Sequence, residues 1–158
     1  MNVNQIDIRT FQLISNEKSI GKLIYKGLFS NTAEIIIPNS GSYEIKPLGF
    51  FKTSISVIQN STEIASLKMN WKGQIVISFK DDQDYIFKVK GILRSKYFIE
   101  DEAQKTLLNY NPKLDLNNFR YNYDISFDIR QENILLILIG IYAANYNIAV
   151  ASGAIAAT

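Results

Sequence analysis

The chain reads as a mainly β (α+β) protein, a closed antiparallel β-barrel of about twelve strands around a central hydrophobic C-terminal α-helix. Three observations predict strands, about eleven of them in a sandwich or barrel, followed by an enclosed helix. From about residue 5 to 130, short runs rich in Ile, Val, Tyr and Phe are separated by turn formers. Just before the tail, Phe119–Arg130 alternates apolar and polar residues without a break. The tail itself, ENILLILIGIYAANYNIAVASGAIAAT, carries no charge after Glu132.

The predicted strands are Ile6–Ile14, Ile20–Tyr25, Ala33–Ile37, Tyr43–Ile45, Thr53–Ile58, Glu63–Met69, Gln74–Phe79, Tyr85–Val89, Tyr97–Ile99, Thr106–Leu108 and Phe119–Ile129. Between them lie Asn31-Thr32, Pro38–Gly41, Gln59–Ser61, Asn70–Gly73 and Asp81–Asp84, all turn chemistry. Asn70 and Gly73 suit the first and last positions of a type I turn, which makes Glu63–Phe79 a hairpin. Glu100–Leu108 is rich in helix formers and has a short helix as its alternative. In the last strand Phe119, Tyr121, Tyr123, Ile125, Phe127 and Ile129 share one face, in a core, and the polar residues between them share the other.

After this strand the period changes. Gln131-Glu132 suits the first turn of a helix, and Ile134–Ala144 is apolar all round, so it must be enclosed on every side by lipid or by protein. The tail is long enough to cross a bilayer, and Gly140/Ala144 and Ala149/Gly153/Ala157 carry the small-residue spacing of packed membrane helices. Against a span, the strongly apolar run lasts eleven residues, Asn145 and Asn147 point to nearly opposite sides, and little basic flank is present. A wide barrel offers protein surroundings on all sides. Asn147 or Asn145 then ends the helix in a left-handed cap. The domain expectation is one barrel over 1–158, with strands about 5–130, central helix about 131–147 and tail 148–158.

Composition narrows the chemistry. The sequence has no Cys and no His, which excludes disulfides, thiol nucleophiles, a Ser-His-Asp triad and the usual zinc sites. The net charge of +2 is too small to imply nucleic acid. The N-terminus lacks the basic and apolar regions of a secretory signal, so a cytoplasmic location is expected, and the Asn60-Ser61-Thr62 sequon is read as chance.

The stretch LDLNNFRYNYDISFDIRQENILLILIGIYAANY, following about eleven short strands, resembles the Tubby C-terminal-like superfamily, which includes Tubby-like, LURP-one-related and phospholipid scramblase proteins. The resemblance is in the order of elements, over roughly residues 20–147. It implies a twelve-stranded barrel around a central helix, and phosphoinositide binding through basic residues on the barrel surface.

The candidate headgroup contacts are Lys68, Lys72, Lys80, Lys88, Lys90, Arg94 and Lys96. Only three Asp oppose these seven between residues 68 and 96, a local charge of +4, whereas residues 97–133 carry −3. Surface strands also carry lysines routinely. Trp71, in a predicted turn beside Lys72, either reaches a membrane interface or folds back over the barrel end. The resemblance to scramblases places a proposed calcium loop at Asp115, Asn117, Phe119, Tyr121 and Tyr123. Only Asp115 and Asn117 supply good oxygen ligands, and Arg120 and Ser126 stand where such a loop needs Gly and a carboxylate. Asp81, Asp82 and Asp84 form a second oxygen cluster, of the kind found in solvated turns. The expectation is non-enzymatic binding of acidic lipid headgroups at a membrane surface, without catalytic residues or cofactor. The alternatives are a protein-interaction or structural module, and a C-terminally tail-anchored protein.

Overall fold

Turn chemistry divides the chain. The computed structural model describes residues 1–28, 30–48, 54–91, 96–118, 120–127 and 133–152. Its elements run β1 (Asn2–Asp7), β2 (Thr10–Ser15), β3 (Lys18–Tyr25), β4 (Ala33–Ile37), β5 (Gly41–Leu48), β6 (Ser54–Gln59), β7 (Thr62–Met69), β8 (Ile75–Phe79), β9 (Asp84–Lys90), β10 (Lys96–Asp101), β11 (Thr106–Asp115), β12 (Arg120–Phe127) and α1 (Ile134–Ala151). Each strand pairs antiparallel with its sequence neighbour, and β1 closes the barrel on β12. Asn16-Glu17 and Asn60-Ser61 all have positive φ, which two-residue hairpin turns require. The Asn70–Gly73 turn forms as predicted. Gly73 N–H donates to Asn70 O at 3.0 Å, and the Asn70 side-chain oxygen accepts from Lys72 and Gln74.

Two expectations about the strands are corrected, and the helical alternative for one segment is not taken. Ile6–Ile14 is two strands, because the Asp7 carboxylate accepts the Arg9 N–H at 2.8 Å and turns the chain at Ile8-Arg9. Glu100–Leu108 contains no helix; β10 ends at Asp101, whose carboxylate accepts the Lys105 N–H at 2.9 Å, and β11 follows. Tyr121 lies at a barrel mouth and is partly exposed, while Tyr123 and Ile125 are buried as expected. Phe119 and Ile129 lie outside the described residues.

The seam between β1 and β12 is short. Its paired residues are Asn2↔Asp124 and Val3↔Tyr123. Beyond them side chains bridge the gap: Gln5 N–H donates to Asn122 Oδ1 at 2.9 Å, and Tyr121 N–H donates to Gln5 Oε1 at 2.7 Å.

Alternation along each strand points one set of side chains inward, among them Leu13, Leu23, Ile35, Ile45, Val57, Leu67, Ile77, Phe87 and Ile99. Eight strands make a barrel that side chains alone can fill; twelve leave room for a helix. α1 occupies that room, and Leu136–Ala144 are all buried, two and a half turns with no solvent face. This is the core position expected of a helix without a polar stripe.

The helix begins later and ends later than 131–147. Asn133 is its N-cap, accepting the Leu136 N–H at 3.0 Å, so Gln131-Glu132 precede it and lie outside the described residues. It continues through Asn145 and Asn147, which are both helical, to a cap at Ser152, whose N–H donates to Ile148 O at 2.9 Å. Asn145 needs no role as a cap. Its oxygen accepts the Tyr123 hydroxyl at 2.7 Å, and its amide donates to the Tyr25 hydroxyl at 3.1 Å. The Tyr142 hydroxyl reaches Asn31 O at 2.7 Å. Together these bonds fix the depth and rotation of the helix. Residues 153–158 of the expected tail lie outside the described residues.

Candidate functional site

An antiparallel meander puts alternate connections at the same end. The helix enters the barrel at the end holding the β2–β3, β4–β5, β6–β7, β8–β9 and β10–β11 turns, and leaves at the end holding the β1–β2, β3–β4, β7–β8 and β11–β12 turns. These are called the entry end and the exit end. Their chemistry differs sharply.

At the entry end, among the described residues, Glu17, Glu63, Asp81, Asp82, Asp84, Asp101 and Glu102 outnumber Lys18, Lys80 and Lys105, so acid predominates. At the exit end, Arg9, Lys26, Lys68, Lys72, Lys90, Lys96, Lys113 and Arg120 face Asp7, Glu34, Asp115 and Asp124. Those four carboxylates are already matched. Lys26 pairs with Glu34 at 3.6 Å, and Lys113 pairs with Asp124. The Asp7 carboxyl is held below its ordinary range by the Arg9 backbone N–H and then by other partners, the Arg9 charge among them. Asp115 is held down by the Asn118 side chain, then by turn N–H groups and the Arg120 charge.

The surplus is therefore Lys68, Lys72, Lys90 and Lys96. They lie on β7, the β7–β8 turn, β9 and β10, which are consecutive in the barrel wall, an arc of about 15 Å at ~4.8 Å per strand. None has a carboxylate within ion-pair distance among the described residues. Lys90 and Lys96 are direct cross-strand partners, and like charges placed so are destabilising. The helix C-terminus, with no basic residue in its last turn, brings about half a negative charge to this end, far less than four lysines supply.

The remaining sequence candidates do not join the arc. Lys80 is at the entry end, paired with Glu63 at 3.2 Å. Glu63 is held below its ordinary range by the Ser56 hydroxyl first, then by Lys80, and least by the charge of Lys68, which lies beyond ion-pair distance. Lys88 is on the barrel wall, half-buried and paired with Glu100. Arg94 lies outside the described residues. Asp115 and Asn117 form a turn instead of an open ligand pair: Asp115 Oδ1 accepts the Asn117 N–H at 3.0 Å, and Oδ2 accepts the Asn118 amide at 2.8 Å. Among the described residues no cluster of three or more acidic side chains could hold a metal ion.

Apolar exposure follows the same axis. Among the described residues eleven large hydrophobics are exposed; ten sit in exit-end connections or within two residues of one, and Ile36 lies two residues before the β4–β5 turn at the entry end. Trp71 is 90% exposed, with Lys72 Nζ 5.1 Å from its ring centroid, so it projects and does not fold over the barrel end. Ile8 is 73% exposed, Leu116 69% and Leu28 62%. Sequence reasoning missed these three. Their signal was an aliphatic residue set among turn formers, as in KGLFSN and DLNN. Beside the emerging helix a recess of about 190 Å³ is walled by Phe11, Tyr25, Tyr142 and Tyr146. Burial raises the Tyr25 and Tyr142 hydroxyls well above the ordinary tyrosine range.

Comparison with known proteins finds no family model, no curated protein and no solved structure that matches this chain.

Proposed function

We propose that the chain is a non-enzymatic, Tubby-like barrel that binds acidic phospholipid headgroups at a membrane surface, on the cytoplasmic side, through Lys68, Lys72, Lys90 and Lys96. One observation carries the reading: four lysines outside ion-pair distance of any described carboxylate, drawn from separate stretches of sequence, lie along one arc of one barrel end. Two of them stand directly opposite each other, a repulsion that a polyanionic surface relieves. The tail-anchored alternative loses ground because nine consecutive residues of its span are barrel core.

Near an acidic bilayer each lysine contributes about 1 kcal/mol, so the arc contributes ~4 kcal/mol, roughly a thousandfold in partitioning. Vesicle co-sedimentation tests this with phosphatidylcholine alone and with phosphatidylserine added. Binding should require the acidic lipid and weaken as salt screens it. Removing two charges, Lys90→Ala with Lys96→Ala, should cost about 30-fold. Lys80→Ala, at the opposite end, should leave binding within about twofold. Equal indifference to neutral and acidic vesicles at low salt, or an equal loss from Lys80→Ala, overturns the proposal.

A further inference from the structure

We infer that the barrel docks end-on, with the apolar tips Ile8, Leu28, Trp71 and Leu116 inserted into the lipid interface and the barrel axis along the bilayer normal. The inference rests on the acidic-membrane reading and adds to it the orientation of the barrel and a second, uncharged set of contacts.

The four tips belong to four different connections, β1–β2, β3–β4, β7–β8 and β11–β12, which are all the exit-end connections whose tips the structure describes. No described entry-end turn exposes a large apolar residue. A shared function of that end explains this distribution more simply than four independent accidents of loop sequence.

What covers the tips follows from their surroundings. Ile8 and Leu28 share the wall of the recess beside the emerging helix, whereas Trp71, on the β7–β8 turn, projects alone from another part of the rim. A protein partner buries a continuous, closely packed centre, whereas a lipid interface accepts separate projections. The lysine surplus on the same end matches acidic headgroups. A second copy meeting end to end would set the two basic arcs against each other. Strand addition has little room, since β1 pairs β12 to close the barrel and Gln5 already bridges the short unpaired stretch of that seam to Asn122 and Tyr121. Trp71 with Lys72 over its ring suits the boundary between headgroups and acyl chains, where an amphipathic indole and a basic neighbour are both accommodated.

The sequence lends itself to the test: it has one Trp and no Cys. Trp71 reports without modification, and Ile8→Cys, Leu28→Cys and Leu116→Cys each accept an environment-sensitive thiol label. Asn39→Cys and Ala103→Cys carry the same label at the entry end. With mixed phosphatidylcholine and phosphatidylserine vesicles, all four exit-end probes should shift to the blue and be quenched by lipids brominated along the acyl chain. The two entry-end probes should not respond. Trp71→Ser and Leu116→Ser should each weaken partitioning about tenfold without changing its salt dependence. Salt-sensitive binding with all four probes still in water overturns the insertion and leaves the headgroup reading standing. Absence of binding to acidic vesicles removes both. A blue shift that grows with protein concentration in the absence of lipid assigns the tips to self-association and also overturns the inference.

Discussion

Gly140→Ala is a test of how the helix is seated. In an exposed helix this change gains about 1 kcal/mol, because Ala is the better helix former. Here the Tyr110 phenol lies across the helix backbone where a side chain would be. A Cβ at position 140 would overlap the Tyr110 hydroxyl, approach its ring carbon Cζ to 2.5 Å and Ile99 Cδ1 to 3.1 Å. Tyr110 is fully buried, and its hydroxyl donates to Ile137 O at 3.2 Å, so the ring cannot retreat freely. Overpacking of this kind costs ~1–3 kcal/mol, and losing a buried hydrogen bond a further ~1–3 kcal/mol. Against the propensity gain, the net loss is about 1–5 kcal/mol, which lowers Tm by roughly 2–20 °C in a protein of this size. Urea denaturation should show a lower midpoint with an unchanged slope. Tyr110→Phe in the Gly140→Ala background should recover part of the loss, since the hydroxyl is the nearest overlapping atom. Gly21→Ala is the control. Its closest neighbours are the Leu138 Cδ1 methyl at 2.8 Å and Ile134 Cγ2 at 3.3 Å, ends of flexible side chains, and the cost should stay at the low end of overpacking, about 1 kcal/mol. A neutral or stabilising Gly140→Ala would refute the packing of Tyr110 on the helix.

Asn145→Leu should destabilise by about 1–3 kcal/mol, because it strands the Tyr123 hydroxyl in the core and removes a partner from the half-buried Tyr25; Asn147→Ala should change stability by less than ~0.5 kcal/mol, and chemical denaturation compares the two. Stability should also fall at high pH. Burial holds the hydroxyls of Tyr25, Tyr110, Tyr123 and Tyr142 protonated in the folded state, while the unfolded chain releases those protons near pH 10. Below that pH the stabilisation is fully present; above it the folded state binds up to four more protons, and stability declines by about 5 kcal/mol per pH unit. Tyrosinate absorbance of these phenols should rise together with loss of near-ultraviolet circular dichroism, and their gradual ionisation in a protein that stays folded would contradict the burial.

The barrel with its core helix was legible because two strong periodicities adjoin. Tyr123 and Ile125 mark a strand with one dry face, and Leu136–Ala144 mark a helix with no wet one. The edges of elements were less legible. Asp7 turns the chain with its own side chain where no Gly, Pro or Asn signals it, so Ile6 and Ile8 prolonged an alternation that had already ended. Lys96–Asp101 and Gly41–Leu48 outlast their apolar centres, since backbone pairing continues through polar residues. The helix passes Asn145 because two tyrosine hydroxyls satisfy the amide, and those partners are 120 and 22 residues away. The lysine set was found but not sorted. Lys72 and Lys80 are eight residues apart in sequence yet at opposite ends of the barrel, and only strand topology separates them. The apolar tips were missed for a related reason: Ile8, Leu28 and Leu116 have meaning as a group only when their loops share an end.

By length and composition the helix could cross a membrane, so the account depends on its staying inside the barrel while the exit end meets lipid. Amide hydrogen exchange, with and without acidic vesicles, tests that most directly. The slowest amides should be those of Leu136–Ala144, exchanging only through global unfolding and unchanged when vesicles are added. Protection should appear with lipid at the Ile8, Leu28, Trp71 and Leu116 turns. Strand amides that lose protection on vesicle addition, as the helix leaves the barrel for the bilayer, would contradict the account.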